Sequence, residues 1–111
     1  MNFDLEDIKT INTIPGIYLI TNKVNNKHYV GQSINLRHRL SVHYYNYIHR
    51  KYDNPLYRAF NKYGLSEFEV TILEADCSFT RENLDELEIH YISVYNSYGK
   101  EGYNQTLGVV Y

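Results

Sequence analysis

The chain has 111 residues, enough for one ordinary domain and too few for two. Its 43% hydrophobic and 22% charged residues exclude an intrinsically disordered chain. The net charge of −2 taken alone argues against a nucleic-acid partner.

The longest apolar run, Ile17-Tyr18-Leu19-Ile20, is far short of the roughly 20 residues that a membrane helix needs. The acidic start, Met1 to Asp7, has no apolar segment and does not read as a secretory signal. A single cysteine, Cys77, can form neither an internal disulfide nor a thiolate zinc cage, and points to a reducing, cytoplasmic setting.

The predicted elements follow in chain order. Residues 1–14 read as a polar leader, closed by the turn signal Pro15-Gly16. Ile17 to Thr21 is short, apolar and β-branched, which predicts a buried strand. Asn22 to Lys27 supplies asparagines for a hairpin turn, and His28 to Gln32 is the return strand. Gly31 within that strand signals a bulge or a close approach to the backbone. Asn35 is a helix N-cap ahead of Leu36, Leu40, Tyr44 and Tyr47/Ile48 at helical spacing. Asn54-Pro55 opens a second helix that Gly64 should stop. Phe68, Val70 and Ile72 alternate with Glu67, Glu69 and Thr71, a half-buried strand. Thr80 caps a third helix carrying Leu84, Leu87, Tyr91 and Tyr95. The order β-β-α-α-β-α predicts a small mixed α/β (α+β) domain, a mostly antiparallel three-stranded sheet flanked by three helices.

Charge is segregated along this order. Residues 20–62 hold eight lysines and arginines against Asp53 alone, a surplus of +7. Residues 63–111 hold nine acids against Arg81 and Lys100, a deficit of −7. The basic middle, with Lys27, Arg37, Arg50, Lys51, Arg58 and Lys62, could meet a polyanion, or the blocks could simply mix on folding.

Three sets of residues could carry chemistry. Hairpin parity puts Tyr18 and Tyr29 on one face, as packing partners or as reactive hydroxyls. Arg39 and His43 are spaced i, i+4 on one helix face, where a guanidinium suits phosphate and a solvated edge is the plainer alternative. Glu88 lies within or beside an apolar stripe, and a carboxylate there needs a divalent metal or a cation such as Arg39. Asp85 and Glu86 lie off that stripe and read as solvated acids.

Gly16-Ile17-Tyr18, followed ten residues later by Tyr29-Val30-Gly31, resembles the GIY-YIG nuclease domain, with Val for Ile in the second triplet. The resemblance runs over about residues 15–106. Arg39 and His43 sit where the family has its Arg and His, and Asn54 to Gly64 is similar to its middle helix. Glu88 matches the metal-binding glutamate, and Gly102-Tyr103-Asn104 matches the closing Asn motif. Two triplets alone would be weak; six matched sites in order are a specific signal. The details most resemble the catalytic modules of phage intron-encoded homing endonucleases.

That resemblance implies a single catalytic domain hydrolysing DNA phosphodiesters with one Mg²⁺ or Mn²⁺ on Glu88. Tyr18 or Tyr29 would be the general base, Arg39 would stabilise charge at phosphorus, His43 would help activate a tyrosine, and Asn104 would orient groups. Tyr52 stands where the family often carries a histidine, and His49, three residues upstream, is a candidate replacement. The tail Leu107 to Tyr111 lacks the targeting segment of homing enzymes. A monomer steered by an appended domain or a partner protein, acting in the cytoplasm of a bacterial or phage-infected cell, is the expectation; a non-cutting nucleic-acid-binding domain of the same fold is the alternative.

Overall fold

The computed structural model describes residues 1–108; Val109, Val110 and Tyr111 lie outside it, and with them most of the tail that reads as lacking a targeting segment. The strands are β1 (Gly16–Asn22), β2 (His28–Ser33) and β3 (Phe68–Ala75), in spatial order β2-β1-β3 with both pairings antiparallel. The helices are α1 (Leu5–Ile8), α2 (Leu36–His49), α3 (Pro55–Tyr63) and α4 (Arg81–Tyr95), with 3₁₀ turns at Leu65–Glu67 and Gly99–Glu101.

β1 is buried along its whole length because both faces of the sheet are covered. Tyr18 and Ile20 face one core with Leu36 and Leu40 of α2 and Leu56 and Phe60 of α3. Ile17 and Leu19 face a second core with Val30, Leu84 and Ile92, under α4. This explains the unbroken run Ile17 to Ile20, in which every side chain meets a helix.

The helix starts follow local chemistry. The side chains of Asn35 and Asn54 accept from His38 N–H and Tyr57 N–H, and Pro55 follows at the first helical position. Thr80 and Asn83 cap α4 reciprocally. In the β1–β2 turn Asn26 takes φ 60°, the left-handed region that asparagine tolerates.

Three expectations are revised. The first 14 residues are not a solvated leader: Phe3, Ile8 and Ile11 are buried in the first core, and Val70 N–H donates to Met1 C=O at 2.7 Å. Three predicted helices therefore become four, the added one being the single turn α1. Ile48 is exposed, leaving Tyr47 to extend the α2 stripe against Phe60. In β3 the register shifts between Ile17 and Tyr18, whose partners are Glu74 and Ile72, and Leu73 packs against the second core.

Candidate active site

The site lies at the outer edge of β2, where α2 from one layer approaches α4 from the other. Register places Gly31 opposite Tyr18, so Tyr18 and Tyr29 are diagonal neighbours on one face, with ring centroids 6.3 Å apart. Hairpin parity thus holds, and Gly31 is explained: the ring of Tyr18 lies where a Gly31 side chain would be. Gly31 marks a close approach and not a bulge.

His43 sits behind both tyrosines, 2% exposed, with its ring edge-on to Tyr18, Tyr29 and Tyr57. Its Nε2 is 2.7 Å from the Tyr18 hydroxyl and its Nδ1 is 2.8 Å from the Tyr57 hydroxyl. Burial, and then the charge of Arg39, push its pKa down to about 3, so the imidazole is neutral at pH 7. Burial raises the Tyr18 hydroxyl well above 10, with Tyr29 adding to the rise and Arg39 opposing it. Tyr29 is also raised by burial, again against Arg39. One guanidinium thus works on both phenols.

Across the site, Glu88 is half-buried on α4. Burial raises its carboxyl pKa, a hydrogen bond from Gln32 opposes the rise, and the charge of Asp85 adds to it. Arg39 and Glu88 form no direct ion pair; among the described residues such pairs are Lys9–Glu6 and Arg58–Asp53. Asp85 is not a solvated acid, since its Oδ1 accepts from Gln32 Nε2 at 2.8 Å while Gln32 Oε1 accepts from Arg81 at 2.9 Å. Glu86 is exposed as expected.

A cleft of about 250 Å³ joins these groups, lined by Tyr29, Arg39, His43, Tyr57, Glu88 and Asn104 among others. Tyr18 is not on its wall. Asn104 spends its side chain on the protein: Nδ2 donates to Val30 C=O at 2.9 Å, and Oδ1 accepts from Val30 N–H at 2.9 Å and from Ser97 at 2.7 Å. Tyr103 N–H donates to His28 C=O, so the closing segment covers the edge of β2.

Apart from Arg39, the basic residues of the middle segment do not line this cleft. Arg37 Nε is bonded to Ile11 C=O at 2.7 Å and ties the N-terminal segment to α2. Arg58 is paired with Asp53 at 3.2 Å, and Lys51 and Lys62 lie over the rings of Tyr45 and Tyr63. Arg50 is exposed, and Lys27 is half-exposed in the hairpin. His49 packs against Tyr45 with ring centroids 4.1 Å apart and planes tilted by 41°, outside the cleft. Tyr52, 64% exposed, lines a neighbouring cleft that shares Arg39, Asn54 and Tyr57 with the first. Two partners of the site were not anticipated from the sequence: Tyr57, and Asn46, whose Nδ2 donates to the Tyr57 hydroxyl at 3.3 Å. Asn46 is three residues after His43 on α2, a spacing that could have found it, whereas Tyr57 is one tyrosine among many.

Residues 14–104 match the family model described as GIY-YIG catalytic domain. Over 88 residues, 73% of this chain, the sequence is 38% identical to a probable intron-encoded endonuclease 1 of Neurospora crassa. Over 88 residues it is 31% identical to the UvrABC system protein C of Alkaliphilus metalliredigens. These matches span 27% and 14% of those relatives, so the chain corresponds to a minor part of each. Among solved structures, the catalytic domain of the homing endonuclease I-TevI superposes with a TM-score of 0.73 at 33% identity, over 83% of this chain and 98% of that one. A mutant form of the same domain gives 0.75 at 32% identity, over 86% of this chain and 96% of that one.

Proposed function

The chain belongs to the GIY-YIG nuclease family, as a domain related to those of homing endonucleases, and on that premise we propose that it hydrolyses DNA phosphodiesters with a divalent metal ion, as the catalytic module of a homing-type or stand-alone nuclease. The observation that carries this reading is the cleft itself: Arg39, Glu88 and Tyr29 share its wall without Arg39 and Glu88 cancelling each other.

The donor set suits a hard cation that keeps its water. Glu88 offers one half-buried carboxylate, and among the described residues no group of three or more His, Cys, Asp and Glu forms a closed cage. Mg²⁺ or Mn²⁺ fits such a site. The chemistry it supplies when bound is neutralisation of a phosphate oxygen and stabilisation of the leaving 3′ oxygen.

The remaining steps belong to the chain. Tyr29, which unlike Tyr18 lines the cleft, takes a proton from the attacking water in its deprotonated form. Burial disfavours that form and Arg39 favours it. Arg39 also meets the charge that gathers on the phosphoryl oxygens. Tyr18, only 1% exposed, supports the site from behind with His43. Asn104 holds β2, and so Tyr29, in place. Arg50, Lys51 and Lys27 offer exposed charge to flanking phosphates, a salt-sensitive contribution. No described helix is long and apolar enough to cross a membrane.

The decisive experiment incubates supercoiled plasmid with the protein and Mg²⁺. Nicked or linear DNA is expected, with loss of cleavage in Glu88→Gln and in metal-free buffer. Cleavage by Glu88→Gln at the wild-type rate would overturn the metal assignment. Tyr29→Phe should fall further than Tyr18→Phe if Tyr29 is the base.

A further inference from the structure

Two half-buried carboxylates stand side by side on α4, and only one of them faces the cleft. Asp85 and Glu88 are spaced i, i+3, so they share a helix face, and Glu88 feels the charge of Asp85. Glu82 and Glu86, on the same helix, are exposed. Glu88 lines the cleft and Asp85 does not. The residue that engages Asp85 is Gln32, on the edge strand β2. Its Nε2 donates to Asp85 Oδ1 at 2.8 Å, and its Oε1 accepts from Arg81 Nη1 at 2.9 Å. A guanidinium can only donate, so Arg81 fixes Oε1 on its own side and leaves Nε2 for the carboxylates. A turned-over amide would set donor against donor.

We propose that Gln32 is a positioning residue that tethers Asp85 away from the cleft, so that Glu88 alone meets the divalent metal ion. This rests on the metal-dependent reading above. Two carboxylates one helical turn apart tend to converge on one divalent cation, each oxygen replacing a bound water. Gln32 opposes that convergence. Its amide nitrogen carries two hydrogens, one for Asp85 and one for the hydrogen bond that reaches Glu88. Arg81, exposed at the start of α4, anchors the amide from the far side. A single carboxylate leaves the rest of the coordination shell to water and to a phosphate oxygen, as hydrolysis needs.

The test titrates Mn²⁺ into the whole chain without DNA and reads the loss of the free-ion electron paramagnetic resonance signal. Gln32→Met keeps the length and bulk of the side chain and removes both polar atoms. Asp85 then loses its Gln32 tether and turns to the ion. Mn²⁺ should bind at least about 10-fold more tightly than in the wild type, since affinity follows the number of charged ligands. Asp85→Asn keeps an oxygen for Gln32 Nε2. On its own it should change Mn²⁺ affinity by less than about threefold, the effect of a nearby screened charge. Combined with Gln32→Met, it should return the affinity to that level. Because Asp85→Asn preserves shape and partner, its outcome stands even where Gln32→Met fails to fold.

In plasmid cleavage at saturating Mg²⁺, Gln32→Met should lower kcat by about 10- to 100-fold with KM for DNA unchanged, because an ion drawn toward Asp85 sits away from the phosphate. Unchanged or weaker Mn²⁺ binding in Gln32→Met, or tighter binding that survives Asp85→Asn, would overturn the proposal even if the protein cuts DNA. A loss of about 10-fold in Mn²⁺ affinity in Asp85→Asn alone would make Asp85 a ligand of the wild type and overturn it as well. The expected pattern of Mn²⁺ affinities in a protein that does not cut would sustain the role of Gln32 and sink the nuclease reading.

Discussion

The ring of Tyr18 occupies the space that a side chain at Gly31 would fill, with Cζ and the hydroxyl oxygen lying against the position of its Cβ. These residues face each other across the β1–β2 ladder, so the hairpin register itself aims the Tyr18 hydroxyl at His43. Gly31→Ala must therefore push the ring aside or part the strands. Overpacking of this kind costs about 1–3 kcal/mol. A drop in midpoint on chemical unfolding should accompany loss of cleavage, because the displaced ring can no longer meet His43. Wild-type stability in Gly31→Ala would show that the ring has room elsewhere.

His43 makes stability depend on acid. Its folded pKa is lowered to about 3 from an ordinary 6.5, so the unfolded chain binds the proton more readily. The stability due to the neutral ring is present above pH 6.5 and is lost as pH falls toward 3, by up to about 1.4 kcal/mol per pH unit. Unfolding free energies from urea titrations between pH 7 and pH 4 should fall with this slope. In His43→Gln, which carries no titrating group, the slope should shrink by about one proton, whatever the absolute stability.

Most of the frame is legible from residue 16 onward, because the signals there are local. Asn35, Asn54 and Thr80 announce helix starts by bonding a backbone N–H three residues ahead, and alternation at Phe68 to Ile72 marks a strand. The N-terminal segment escapes such a reading because Phe3, Ile8 and Ile11 are spread among polar residues and acquire meaning only against Leu40, Phe60 and Val70. At the site, spacing brings out Arg39 and His43, and parity pairs Tyr18 with Tyr29. The burial of Tyr18 and exposure of Tyr29 to the cleft depend on β2 being an edge strand, which no local pattern encodes. Gln32 and Tyr57 act through partners 53 and 14 positions away, beyond the reach of periodicity.

Phe3 gives the N-terminal segment a measurable weight. Its ring is 3% exposed and meets Phe60 edge-on at 5.4 Å and Tyr44 at 6.5 Å. Truncating such a ring leaves a cavity that costs about 3–5 kcal/mol. Phe3→Ala should lower the unfolding free energy by that amount and the midpoint with it. Lys9→Ala, in the same segment but exposed, should change it little, because its pairing with Glu6 at 3.5 Å is a surface contact. Equal effects of the two substitutions would return the segment to the status of a leader.

Asn104 bonds both the N–H and the C=O of Val30, a pairing that needs a donor and an acceptor on one side chain. Asn104→Asp keeps the shape and loses the donor when ionised, which sets a carboxylate oxygen against the Val30 carbonyl. Protonation of the introduced carboxylate restores the donor, so folding favours the acid form and raises its pKa above the ordinary value near 4. The sign follows: a raised folded pKa makes stability fall as pH rises through it. Measured against the wild type at each pH, the loss in Asn104→Asp should be small at pH 4 and reach about 1–3 kcal/mol or more at pH 7, the cost of an unpaired buried acceptor facing a charge. Asn104→Ala should show a loss that does not vary with pH. A pH-independent loss in Asn104→Asp would mean that β2 does not depend on this donor.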